Sequence, residues 1–148
     1  MRFKLLAVAA ATAGALTVSA TPAGAAPNWA PVDTNSTWKC TGYANHTVSN
    51  FIKWKVCEVF NGHGAQVVVV VQSTASVAVS IAGRTWSDYG SNDVCSTSPF
   101  NPGFTRGCFG RTVELLFPGG VFGEHEIEGE LVVNGVSNVR HYWVESSA

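Results

Sequence analysis

The sequence predicts an all-β protein, an antiparallel β-sandwich of immunoglobulin-like type with about seven strands and two disulfides; a small β-barrel is the alternative. Short runs of β-branched and aromatic residues recur between turns rich in Gly, Pro, Asn and Ser. No window after residue 26 places apolar residues at the spacing of an amphipathic helix. The four cysteines, an even number in a short chain, indicate two disulfide bonds.

Seven segments have the patterning of strands, and an eighth, at 84–89, is short. The seven are residues 36–44, 50–60, 65–73, 75–82, 106–117, 124–133 and 137–145. In the second segment, Ile52, Trp54 and Val56 alternate with lysines and a cysteine and are expected to face the core. The same alternation assigns Val77, Val79 and Ile81 to the core face of the fourth segment.

The segment 106–117 is expected to be one strand with two distinct faces. Cys108 and Glu114 lie on one face. The other face is formed by Phe109, Arg111, Val113, Leu115 and Phe117.

Five consecutive valines, Val67 to Val71, interrupt the alternation of the third strand. In a two-layer sandwich only one strand face meets the core, so two or three valines point away from it. We expect a neighbouring segment to cover them. The alternatives are an exposed patch that drives self-association and a central strand with both faces buried.

Residues 1–25 have the features of a secretory signal peptide. Arg2 and Lys4 precede an apolar run from Leu5 to Leu16, and the A-x-A signature at 23–25 precedes residue 26. The run is too short to span a bilayer. We therefore expect a secreted protein, with residues 26–148 forming a single all-β domain and no membrane anchor.

Cleavage changes the charge balance. It removes Arg2 and Lys4 from nine basic residues and leaves seven against ten acidic ones, a formal charge of −3 on 123 residues. This balance argues against a nucleic-acid partner.

The cysteines are expected to pair locally, Cys40 with Cys57 and Cys95 with Cys108, because each pair brackets a turn-rich stretch. Their spacing does not match a zinc site. No metal or other cofactor is expected.

A row of glutamates is the most distinctive polar feature. Glu124, Glu126, Glu128 and Glu130 occupy alternate positions and share one strand face, with His125 on the other. Such carboxylates can bind Ca²⁺ or a cationic partner, or act as a glycosidase acid and nucleophile. The alternative is a solvated outer face that protects a sheet edge.

Candidate binding residues lie in the segment before and within the Cys95–Cys108 loop. They are Trp86, Tyr89, Phe100, Phe104 and Arg106. Aromatic and arginine side chains on a braced loop are typical of binding hot spots. The alternative is that Phe100 and Phe104 fold back and plug the end of the sandwich.

No catalytic set is apparent in the sequence. His46, His63 and His141 are isolated and are expected to be surface or turn residues, and no G-x-S-x-G motif is present. If the cysteines pair, no thiol nucleophile remains.

The last two strands are expected to form a hairpin with a three-residue loop, 134–136. This register pairs Val133 with Ser137 and Glu130 with Arg140, sorts apolar from polar residues and buries Trp143. A two-residue turn at Asn134-Gly135 is the competing possibility.

The order of Cys40, Cys57 and Cys95 with the segments 106–112 (RGCFGRT) and 129–135 (GELVVNG) resembles small secreted actinomycete proteins of unknown function. The resemblance implies two disulfides and a single domain, and it implies no activity.

The sequence favours a secreted, non-enzymatic protein that binds an extracellular protein or cell-wall polymer through its loops. A protease inhibitor that uses the Cys95–Cys108 loop as substrate mimic is a special case. An extracellular hydrolase using Glu124 to Glu130, and a self-assembling surface protein driven by the valines, are the alternatives. The oligomeric state is left open.

Overall fold

The computed structural model describes residues 29–61, 64–115 and 124–145. The regular elements in these ranges are all β-strands, so the all-β prediction is confirmed. They are β1 (Ala30–Pro31), β2 (Lys39–Cys40), β3 (Ala44–His46), β4 (Ser49–Asn61), β5 (Gly64–Ser73), β6 (Val79–Ser87), β7 (Asp93–Phe100), β8 (Thr105–Phe109), β9 (Val113–Glu114), β10 (Glu124–Val133) and β11 (Val136–Glu145). The leader expected at 1–25 lies outside the described residues. In the described part of the chain, no helix is long and apolar enough to cross a membrane.

The strands form two antiparallel sheets. The seven-stranded sheet has the order β1-β8-β5-β4-β2, with β3 also paired to β4 and β9 to β5. The four-stranded sheet has the order β11-β10-β6-β7. Over the described ranges neither sheet closes on itself, so the fold is a β-sandwich and not the alternative barrel.

The core lies between the two sheets. Ile52, Trp54 and Val56 are buried there as the alternation in β4 predicts, against Ile127 and Leu131 of β10. Each such side chain contributes about 1.5–3 kcal/mol when fully removed from water. This packing fixes which face of each sheet points inward.

The five valines of β5 are all fully buried. Three of them face the main core, whereas Val68 and Val70 point the other way into a second cluster that includes Val32 and Trp38. The cover is the chain that precedes β3, in agreement with the expectation of a covering segment. The valines present no exposed patch, which removes the driver expected for self-assembly.

Both disulfides pair as predicted, Cys40 with Cys57 and Cys95 with Cys108. Cys40 and Cys57 lie directly opposite each other on the paired strands β2 and β4. Cys95 and Cys108 belong to β7 and β8, which lie in different sheets. The second disulfide therefore joins the two layers of the sandwich.

The strands expected at 75–82 and 84–89 are wrong in their boundaries. A single strand, β6, starts at Val79, and Ile81 is buried as expected. Val77 was assigned to the core but is 66% exposed, because it precedes the strand. Residues 74–78 carry the chain from one sheet to the other, and Thr74 donates its backbone N–H to the carbonyl of Phe51. Alternation does not distinguish such an extended crossing from a strand.

The segment 93–100 was expected to be part of a loop and is a strand, β7. It lies at the sheet edge, where Pro99 is tolerated because its missing N–H faces away from the partner. The disulfide-closed segment is therefore two strands joined by a turn at 101–104.

The single strand expected at 106–117 is also wrong. Strand β8 ends at Phe109, and β9 pairs with Gly64 and Ala65 at the other end of β5. The break falls at Gly110, where an added Cβ would lie 2.6 Å from Thr85 Oγ1. The expected five-residue face does not form along one strand, and its last member, Phe117, lies outside the described residues. The segment expected at 36–44 contains only the short strands β2 and the start of β3.

The hairpin prediction is wrong. Val133 pairs directly with Val136 across a two-residue turn, in which Asn134 has φ 49° and Gly135 has φ 83°. These positive φ values are those of a type I′ turn. Trp143, expected in the core, is 60% exposed.

The reason lies in the position of β11 at the edge of its sheet. Its inward-facing polar side chains find partners across the side opening of the sandwich. Asn138 accepts a hydrogen bond from the backbone N–H of Thr47, and Arg140 donates to Thr41 and lies over the Trp54 ring. Burying apolar side chains at this edge stabilises too little to outweigh the preference of Asn134-Gly135 for a two-residue turn. Arg140 therefore faces inward and does not pair with Glu130.

Replacing Gly135 with alanine is expected to lower the free energy of unfolding by about 1 kcal/mol, because alanine is strained at positive φ. Gly42→Ala is the matched control, since a Cβ at Gly42 meets no atom within 4 Å and its φ is not positive. Urea unfolding of both variants measures the difference. Equal effects at the two positions would contradict the turn assignment.

Candidate functional site

The outer face of the four-stranded sheet carries a row of glutamates between two exposed tryptophans. His125, Ile127 and Leu131 of β10 point into the sandwich, so the glutamates point outward, as the alternation predicts. Trp143 of β11 is 60% exposed and Trp86 of β6 is 39% exposed. We call this surface the acidic tryptophan face. Its members are Arg84, Trp86, Glu124, Glu126, Glu128, Glu130, His141 and Trp143.

The strand register places these side chains in rows. Trp143 lies directly opposite Glu126, and the next row contains Trp86, Glu128 and His141 on three adjacent strands. Successive glutamates on one strand face are about 6.5–7 Å apart, and the two tryptophans, two strands and one row apart, are separated by roughly 12 Å. The aromatic rings therefore flank the carboxylates on the outer face of the sheet.

An ion pair with Arg84 and close contacts with His141 hold the carboxylates in position. Arg84 Nε lies 3.2 Å from Glu130 Oε2, and His141 Nδ1 lies 3.0 Å from Glu126 Oε1 and 3.4 Å from Glu128 Oε2. Because these groups are partly exposed, each pair adds little to stability. With His141 neutral, four glutamates against one arginine leave the face with a formal charge of −3.

This arrangement suits a cationic group. A lysine or arginine side chain can pair with a carboxylate while its charge lies over a neighbouring indole ring. The described residues contain no group of three or more His, Cys, Asp or Glu side chains placed to hold a metal ion.

A second polar cluster is buried between the sheets. Glu58 of β4 is fully buried, and its Oε1 lies 2.5 Å from His125 Nε2 of β10. The Tyr89 ring packs edge-on against His125, with centroids 5.3 Å apart. Burial, reinforced by the negative charge of Glu58, raises the pKa of Tyr89 well above its usual range. The phenol therefore stays protonated, and the contact between Glu58 and His125 joins the two layers.

The sequence contained a signal for this pair. Glu58 has the same parity in β4 as Ile52 and Trp54, and His125 was already assigned to the inner face of β10. Buried polar groups on facing inner surfaces require hydrogen-bond partners, and here Glu58 and His125 are partners of each other.

His46 was expected to be a surface or turn residue, and it is buried. Its Nδ1 accepts the backbone N–H of Val48, so Nε2 carries the proton and donates to the Leu131 carbonyl. Burial lowers the pKa of His46, although the carbonyls of Leu131 and Val136 oppose the shift. His141 is exposed as expected, and His63 lies outside the described residues.

The five candidate binding residues do not form one surface. Trp86 lies on the acidic tryptophan face. Phe100 is buried in the core, and Tyr89 packs against the core. Phe104 is exposed, with the Arg106 guanidinium 5.4 Å from its ring centroid, beside the seven-stranded sheet. Phe100 therefore folds back into the core, as the alternative interpretation expected, whereas Phe104 does not.

Comparison of the chain with protein-family models, with curated proteins and with solved structures finds no match.

Proposed function

We propose that this protein is a secreted, non-enzymatic binding protein whose acidic tryptophan face binds a basic segment of an extracellular protein. The observation that carries the proposal is the row of carboxylates between two exposed indole rings, Trp86 and Trp143.

Secretion is supported by the leader at 1–25 and by the two disulfides. A charged n-region, an apolar run and an A-x-A signature direct a chain out of the cytoplasm. Disulfides persist in oxidising compartments.

A binding role is supported by the exposed aromatic area. Trp143 and Trp86 lie on strands, so little conformational entropy is lost when a partner covers them. Tryptophan is also among the residues that most often dominate binding energy at interfaces. The ion pair with Arg84 and the contact with His141 hold the surrounding carboxylates in place before binding.

A basic protein segment fits the charge better than a neutral cell-wall polymer does. The face carries a formal charge of −3, and its indole rings lie beside carboxylates rather than apart from them. Opposite charges steer association and strengthen it at low ionic strength.

The alternative hydrolase requires two carboxylates that approach a glycosidic bond from opposite sides. Successive glutamates of β10 lie on one face of one strand and approach a ligand from the same side. This geometry favours binding over hydrolysis.

Titration of a fluorescent octalysine peptide with dilute mature protein tests the proposal. Trp143→Ala and the double variant Glu126→Gln/Glu128→Gln are each expected to weaken binding by about tenfold or more, the loss of about 1.4 kcal/mol or more typical of a hot spot. Binding should weaken steeply as salt rises.

Phe104→Ala and Glu114→Gln are the matched controls, because both side chains are exposed and lie outside the acidic tryptophan face. Both are expected to bind octalysine like the wild type. Unchanged binding by the Trp143 and glutamate variants would refute the proposal, and so would salt-insensitive binding to a neutral polysaccharide with no affinity for octalysine.

A further inference from the structure

The charges of the mature chain are divided unevenly between the two sheets. The seven-stranded sheet and its connections, residues 29–73 and 105–115, contain five basic and three acidic residues. The four-stranded sheet, residues 79–100 and 124–145, contains two basic and seven acidic residues. The formal charges are +2 and −5, so the sandwich is strongly dipolar.

The seven-stranded sheet carries its own exposed aromatic and basic groups. Phe51 and Lys53 are neighbours on the outer face of β4, and Phe51 is 60% exposed. The next outward position, Lys55, is only 9% exposed: its Nζ donates to Thr34 Oγ1 and lies 4.6 Å from the ring centroid of Tyr43, which is itself exposed. We call the exposed residues Tyr43, Phe51 and Lys53 the basic stripe.

The basic stripe and the acidic tryptophan face point in opposite directions. Ile52 and Trp54 of β4 and Ile127 and Leu131 of β10 all point into the shared core. Side chains at the intervening positions of each strand therefore point away from the other sheet. Opposite charges and exposed aromatic rings thus occupy the two outer surfaces of one molecule.

We propose that the basic partner of the acidic tryptophan face is the basic stripe of a second copy of this chain, an inference that rests on the proposed function. Lys53 of one copy meets the glutamates of the next, and Phe51 covers ring area on Trp86 or Trp143. The contact is heterologous, because the two surfaces differ and lie on opposite sides of each molecule. Repeating it builds an open stack rather than a closed dimer.

Other routes to self-association are less favoured by the structure. The valines of β5 are buried, so they offer no contact. The edge of β11 carries the inward-pointing Arg140 and ends at Glu145, and charged residues at such positions oppose edge-to-edge pairing. The charged outer faces are left as the surfaces that complement each other.

Sedimentation of the mature, disulfide-bonded protein tests the inference. At low ionic strength the average mass is expected to rise with concentration past that of a dimer. It should return to the monomer in about 1 M salt, where the screening length is about 3 Å. Excess octalysine is expected to dissolve the stacks by occupying the acidic tryptophan face.

Two variants provide complementation. Glu126→Gln/Trp143→Ala removes the acidic surface, and Phe51→Ala/Lys53→Gln removes the basic one. Each variant alone is expected to sediment as a monomer, and an equimolar mixture as a dimer that grows no further. Glu114→Gln is the control and should stack like the wild type.

A wild-type monomer at every concentration would overturn the inference, and so would undiminished stacking by either variant. If that monomer still binds octalysine through Glu126 and Trp143, the proposed function stands and the partner is a different basic protein. If octalysine binding is absent too, the proposed function also fails.

Discussion

His125→Ala is expected to lower the free energy of unfolding by about 3–5 kcal/mol. The substitution leaves the Glu58 carboxylate fully buried without the imidazole that lies 2.5 Å from it. Removing one member of a buried ion pair strands the other charge in a medium of low polarity, and this penalty exceeds the value of the pair itself. For a domain of ordinary stability, 5–15 kcal/mol, the loss is a large fraction of the total.

The double variant Glu58→Leu/His125→Leu distinguishes a loss of stability caused by the unpaired Glu58 carboxylate from one caused by lost packing of the His125 ring. If the cost arises from the stranded charge, replacing both groups by apolar ones is expected to recover most of the lost stability. His141→Ala is the control, since His141 also contacts a glutamate but is exposed; its effect should be within about 0.5 kcal/mol. A double variant no more stable than His125→Ala would show that lost packing is the cause.

Removing either disulfide by paired Cys→Ser substitution is expected to lower the free energy of unfolding by about 3 kcal/mol. The two bonds close loops of similar length, with sequence separations of 17 and 13, so loop entropy assigns them nearly equal contributions. Urea unfolding of Cys40→Ser/Cys57→Ser and of Cys95→Ser/Cys108→Ser measures the two losses.

The loss of each disulfide is expected to affect a different part of the structure. Strand β7 lies at a sheet edge beside β6, and Cys95 ties it to β8 in the other layer. Without that bond, amide hydrogens of β7 are expected to exchange faster, while those of β4 keep their relative protection. The Cys40–Cys57 bond joins strands that are already paired, so its loss should leave β7 unaffected. Equal loosening of β7 in both variants would contradict this assignment.

Period-two alternation predicted the parts of the fold where one strand face meets a full opposing layer. It assigned Ile52, Trp54 and Val56 to the core and the glutamates of β10 to the outside, because a wrong face there would bury charge or expose a large apolar area. The same reasoning anticipated that Val68 and Val70 need a cover. It placed His125 on the face opposite the glutamates but assigned Glu58 no position, so the contact between the two became evident only from the three-dimensional structure.

Alternation failed at the sheet edge and in the crossing between the sheets, where little side-chain area is buried. At the edge strand β11, the turn residues Asn134 and Gly135 determined the register, and Trp143 came to lie beside Glu126 on the outside. Val77 alternates like a strand residue but lies in a crossing between sheets. The sequence therefore predicted the glutamates of the acidic tryptophan face but not the presence of Trp143. Trp143 lies on this face only because the turn has two residues.

The cover over Val68 and Val70 also bears on how the chain avoids aggregation while it folds. A run of five valines without charge or proline is the kind of segment that pairs with other chains when exposed. Val32 and Trp38, which shield it, precede it in the sequence and are therefore synthesised first. The residues that cover Val68 and Val70 are thus synthesised before them, whereas Val67, Val69 and Val71 pack against residues of β10, which are synthesised later.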